Sequence, residues 1–204
     1  MQAARGASLT EGATDATGEA TAIEPRRVRR TLLLVAVAVV VIALDLVSKI
    51  IVVRTLEDSQ PVKLFGGLFY LIHTRNTGAA FSLASGFTVV LTAIAVAVIA
   101  FILYLSRRLY SVGWAIALGL VLGGAAGNLV DRLFRAPGPL RGGVVDFIAL
   151  LDPVHPPFPV FNLADSSLCI GVALAILLEL RGRSIDGRRR APRGSAESTG
   201  GELA

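Results

Sequence analysis

Four apolar runs organise the chain, at about residues 31–53, 87–105, 109–130 and 163–180. Each is close to the ~20 residues that an α-helix needs to span ~30 Å of hydrocarbon. Together they predict an all-α membrane protein of four transmembrane helices occupying residues 31–180. The chain on either side lacks an apolar core, so residues 1–30 and 181–204 read as tails, disordered and, in the second case, basic. The first run follows Arg26, Arg27, Arg29 and Arg30, yet it is too long for a cleaved signal peptide and has no small-residue cleavage site after it. It is read as a retained helix.

Two of the links are not plain loops. The stretch VKLFGGLFYLIH at 62–73 mixes aromatic and branched residues around a glycine pair, which predicts a short strand or hairpin, a small β-structured element outside the cytoplasm. The segment DPVHPPFPVF at 152–161 is too rich in proline to be helical, so the fourth helix begins only after it. Between them, RAPGPLRGG at 135–143 reads as a flexible, turn-rich connection.

Composition agrees with this pattern and charge gives it a direction. The chain is 53% hydrophobic and 17% charged, with a mean hydropathy of +0.67. Its net charge of +5 does not point to nucleic acid, because the arginines flank the apolar runs. They gather before the first run, between the second and third (Arg107, Arg108), and after the fourth (Arg181, Arg183 and beyond). By the positive-inside rule both termini are expected in the cytoplasm, with the two mixed-charge links outside. A single cysteine, Cys169, excludes an internal disulfide. His73 and His155 read as isolated loop side chains, and no metal site or cofactor is expected.

Polar residues inside or beside membrane helices are expensive and each needs an account. Asp45 and Lys49 lie four apart on the first helix and are read as a packing salt bridge. Ser48 and Lys49 are adjacent, point in different directions and do not easily form a catalytic dyad. In GGAAGN, 123–128, small residues favour close helix packing, and Asn128 lies within the apolar run. Asn128, Asp131 and Arg132 share a face, the last two reading as markers of the aqueous boundary. Asn76 opens NTGAAFS, which reads equally as a tight turn or a substrate contact. Asn162 is placed to cap the fourth helix, with Asp165 three residues on as in a capping box. Asp146, in GGVVDFI, reads either as a loop acid or as a partner of Asp165 at similar depth. Two carboxylates that share one proton can activate water and protonate a reacting carbonyl or leaving amine.

The ordered set DLVSK at 45–49, NTGAAF at 76–81, GGAAGNLVDR at 123–132, VVDF at 144–147 and FNLADSSLCIG at 161–171 resembles lipoprotein signal peptidase (signal peptidase II), a bacterial membrane aspartic peptidase family. Leu46 departs from it where glutamine is frequent, and the 132–145 link looks longer than in many members. The resemblance implies removal of the signal peptide from diacylglyceryl-modified prolipoproteins, by cleavage just before the lipidated cysteine. It implies catalytic roles for Asp146 and Asp165 and substrate-binding or dyad-supporting roles for Asn76, Asn128, Arg132 and Asn162. Asp45 and Lys49 would be structural. It further implies a multi-pass protein of the bacterial inner membrane, with its active site at the extracytoplasmic face and sensitivity to globomycin. Prolipoproteins and membrane lipids are the expected partners of a monomer. Cys169 lies within a helix and lacks the small residue expected before a lipidated cysteine, so the chain reads as the peptidase rather than its substrate. A proton or ion transporter is the rival reading, disfavoured because the acids collect at one side and no internal repeat is seen; a scaffold without catalytic function is the third.

Overall fold

A computed structural model describes residues 28–78 and 88–188. The predicted tails and the end of the NTGAAF motif lie largely outside the described residues. Four helices form where the apolar runs predict them: α1 Thr31–Leu56, α2 Thr88–Leu105, α3 Val112–Phe134 and α4 Leu163–Leu180. All four are long and apolar enough to cross a membrane.

α3 is the hub, packed against both α1 and α4. The reason is a stripe of glycines. Gly119, Gly123 and Gly127 recur every four residues and lie on one face. Against them sit Leu34 and Val37, then Ala38 and Val41, then Asp45, all from α1. Gly124 faces Ala164 and Leu168 of α4, while Gly171 of α4 receives Ala117 and Val121 of α3. Lipid tails are as apolar as these side chains, so the hydrophobic effect does not drive the helices together; this close approach with its dispersion contacts holds the bundle, together with the buried polar contacts between helices.

The hairpin expected at 62–73 is present and longer. Strand β1 (Val62–Leu64) turns through Phe65, Gly66 and Gly67, all with positive φ, into β2 (Phe69–Asn76). The glycine pair is what makes this turn accessible. His73 therefore lies in a strand and not in a loop. A third strand, β3 (Val144–Leu150), completes an antiparallel sheet in the order β1-β2-β3. Asp146 is thus a strand residue, opposite Thr74 of β2, and the reading of it as a loop acid is corrected. Phe161 bridges back to Ile148 of β3 through two backbone hydrogen bonds, which brings the chain to the start of α4.

The two ends of the bundle differ. At one, Arg30 donates its backbone N–H to Leu109, Tyr110 to Ile185, and the Trp114 indole to the Arg183 carbonyl. The start of α1, the α2–α3 link and the chain after α4 are joined there. At the other end lie the sheet, the last turns of α1 and α3, and the first turn of α4.

Candidate functional site

Asp146 of β3 and Asp165 of α4 line one cleft at the sheet end. Asn162 and Asp165 form the capping box predicted from their spacing: Asn162 Oδ1 accepts the Asp165 N–H and Asp165 Oδ2 accepts the Asn162 N–H. The other end of the Asn162 amide then faces β3. Its Nδ2 donates to Asp146 Oδ1 at 2.6 Å. Asn76, at the end of β2, donates from Nδ2 to Asp146 Oδ2 at 3.0 Å, and its own Oδ1 is held by the Gly78 N–H. Asn128, from α3, donates to Asp165 Oδ1 at 2.8 Å.

Asp146 is 2% exposed. Burial pushes its carboxyl up from 3.8 to about 7, and the negative charge of Asp165 adds to the rise. Hydrogen bonds from Asn76 and Asn162 and the charge of Lys49 oppose it without cancelling it. A rise of this direction and cause favours the protonated form of Asp146, the form in which a carboxyl donates a proton.

A layer of ions lies beneath. Lys49 is fully buried and meets Asp45 Oδ2 at 2.7 Å, Asp131 Oδ2 at 2.9 Å and Asn128 Oδ1 at 3.0 Å. The salt bridge expected between Asp45 and Lys49 is present, as one arm of a larger cluster. Asp45 also accepts the Ala164 N–H of α4 at 3.0 Å. Ser48 donates to the Asp45 carbonyl and takes no part. Asp131 is not an aqueous boundary marker: it is 1% exposed, pairs with Arg135, and accepts the N–H of Val145, the residue before Asp146. Arg132 donates to the Asn128 carbonyl, and its charge acts on Asp165 and Asp146.

The five residues Asn76, Asn128, Asp146, Asn162 and Asp165 thus form one hydrogen-bonded group, with Arg132 beside it and Asp45 and Lys49 below. Three of the five, Asn76, Asp146 and Asp165, open onto a cleft of about 420 Å³. Apart from polar groups at its head, the cleft is walled by the non-helical segment Phe158 to Phe161 and by Cys169 and Ile170 of α4. Sequence reasoning treats that segment only as a helix breaker and misses it as a wall. It also misses Asp131 as a buried member of the site, although its spacing of four from Arg135, at the end of an apolar run, is a usable signal. Among the described residues, no group of three or more His, Cys, Asp or Glu is placed to hold a metal ion.

Comparison with known proteins adds a family. The model described as signal peptidase (SPase) II matches residues 37–181. A lipoprotein signal peptidase of Mycolicibacterium smegmatis is 48% identical over 194 residues, covering 94% of this chain and 79% of that protein. One from Streptomyces coelicolor is 51% identical over 159 residues, 78% of this chain and 76% of that protein. Among solved structures, one titled a bacterial membrane enzyme by the in meso method at 2.3 Å resolution aligns with a TM-score of 0.64 at 30% identity, covering 78% of this chain and 93% of that one.

Proposed function

The chain belongs to the signal peptidase II family of membrane aspartic peptidases, and from that premise we propose that it cleaves diacylglyceryl-modified prolipoproteins just before the lipidated cysteine, with water activated between Asp146 and Asp165. The observation that carries this reading is Asn162, which holds both carboxylates at the head of an apolar cleft, Asp146 through its side-chain N–H₂ and Asp165 through its backbone N–H.

The chemistry follows from the asymmetry of the pair. Asp146 holds the shared proton, consistent with its value of about 7. Asp165, whose two oxygens accept N–H groups from Asn128 and Asn162, takes a proton from water. The hydroxide attacks the scissile carbonyl as Asp146 protonates its oxygen, giving a gem-diol. Asp165 then returns its proton to the leaving nitrogen while Asp146 recovers one from the diol hydroxyl, and the C–N bond breaks. Both acids end as they began. Asn76, Asn128 and Asn162 fix the geometry, and Arg132 supplies positive charge beside the pair.

The location of the pair fits its substrate. Asp165 is in the first turn of a membrane helix, where a peptide meets water while its acyl chains remain in lipid. The apolar wall from Phe158 to Ile170 would receive the apolar part of the substrate. The arginine-bearing end, with both ends of the described chain, would be cytoplasmic, and the sheet end extracytoplasmic. The protein would act as a monomer.

The test is cleavage of a diacylglyceryl prolipoprotein by the purified full chain in lipid. Asp146→Asn and Asp165→Asn should each lower kcat by about 10²- to 10⁴-fold with the protein still inserted, and globomycin should inhibit the wild type. Normal processing by the Asp146→Asn protein would remove the dyad assignment.

A further inference from the structure

The two ends of an asparagine amide have nearly the same shape, so the partners around it decide which way it faces. At Asn128 that decision matters. Its Nδ2 donates to Asp165 Oδ1 at 2.8 Å. Turned over, it would set a carbonyl oxygen against a carboxylate.

Lys49 is placed to prevent this. An ammonium has three donors and no acceptor. Two of its contacts are the carboxylates Asp45 and Asp131, and the third is Asn128 Oδ1 at 3.0 Å. A group that only donates compels the amide to present its oxygen, and the N–H₂ end must then face away, toward Asp165. Asn162 also donates to Asn128 Oδ1, at 3.1 Å, but its amide serves Asp146 at 2.6 Å as well. Lys49 does not line the cleft.

We infer that Lys49 is a positioning residue for the dyad: by holding the Asn128 oxygen it aims that amide's N–H at Asp165. This rests on the dyad reading above, and it gives the buried ion cluster a role beyond joining α1 to α3. A group acting through Asn128 sets the rate of the chemical step and leaves substrate binding alone.

The experiment must keep the buried charges balanced, since Lys49→Met alone would strand two carboxylates. The reference is therefore the Asp45→Asn protein, compared with Asp45→Asn/Lys49→Met, in which Asp131 keeps Arg135 as its partner. Full-length proteins are assayed in lipid on a diacylglyceryl prolipoprotein, with the unfolding midpoint measured in parallel. The expected result is a fall in kcat of at least about tenfold with KM within about twofold. The loss should disappear when both proteins also carry Asn128→Ala. Equal kcat, or an equal loss without the Asn128 amide, overturns the inference. Should the methionine protein fail to fold, Lys49→Gln replaces it. Glutamine can donate or accept, so it no longer compels the Asn128 oxygen to face it and leaves Asn162 as that oxygen's one obligate donor; a loss of about threefold or more, again confined to proteins that retain Asn128, is expected. No loss, or an equal loss without Asn128, is the overturning result. Asp146→Asn run alongside separates the two readings: if it still cleaves, the dyad fails; if it is inactive and Lys49 has no effect on kcat, only the positioning role fails.

Discussion

Asn162 and Asp165 hold each other by two hydrogen bonds, Asp165 N–H to Asn162 Oδ1 at 2.9 Å and Asn162 N–H to Asp165 Oδ2 at 3.1 Å. The cap is local, but its consequence is not. With Oδ1 engaged, the Asn162 N–H₂ group faces Asp146 across the site. One residue therefore starts a helix and links the two acids.

The two duties are separable. Serine caps a helix about as well as asparagine but cannot reach Asp146. Asn162→Ser should keep the unfolding midpoint in detergent near the wild-type value while lowering kcat about tenfold or more. Asn162→Leu should lose the rate and, in addition, about 1 kcal/mol of stability.

Asp146 predicts a pH dependence with a definite sign. Its folded value of about 7 lies above the ordinary 3.8. Between these values the unfolded chain has released the proton and the folded chain retains it. Stability from this group is thus complete below about pH 4, declines as the pH rises toward 7, and levels off above. Asp146→Asn should lack that slope, so wild-type stability relative to the variant falls across this window in thermal melts. Cleavage should fall above about pH 7 as the acid of the pair loses its proton.

Two glycines of α3 should respond differently to the same change. A Cβ at Gly123 would lie 2.6 Å from Val41 Cβ and 2.9 Å from the Ala38 carbonyl. Gly123→Ala should destabilise by about 1–3 kcal/mol and leave the kcat of the folded fraction near normal. At Gly127 the new atom would lie 2.6 Å from Asp45 Oδ2, in the ion cluster under the dyad. Gly127→Ala should lower both stability and kcat. Melts and kinetics on the same preparations decide this.

The cleft gives a test of substrate seating. Ile170 lines it on α4 and makes none of the hydrogen bonds around the acids. Ile170→Trp should crowd the 420 Å³ space, raising KM for a lipid-modified substrate about tenfold with kcat changed less than about threefold. An unchanged KM would show that the substrate lies elsewhere.

What could be seen in the sequence divides by the range of the forces involved. The four spans depend on local hydropathy and were legible to within a few residues. α3 continues to Phe134, past Asp131 and Arg132, because Asp131 is buried against Lys49 of another helix. The Asn162–Asp165 cap is a local bond with a recognisable spacing. β3 was not legible: it is buried on both faces, so VVDF does not alternate, and its partner strand is about 70 residues earlier. The Lys49–Asn128 contact spans 79 positions, and the wall from Phe158 to Phe161 faces the acids only through the bridge to β3. The family motifs singled out the acids and asparagines of the site, while their mutual orientation came from tertiary packing.

Asp45, on the first membrane helix, accepts the N–H of Ala164, on the last. During translation these two residues emerge far apart in time. The proposed nucleophile-activating acid and its cap arrive only with the fourth helix, after the first three have left the ribosome. A chain that has emerged only through its third helix lacks both Asp146 and Asp165, and so both members of the proposed pair. The proposed pair is complete only once the last helix has closed against the first.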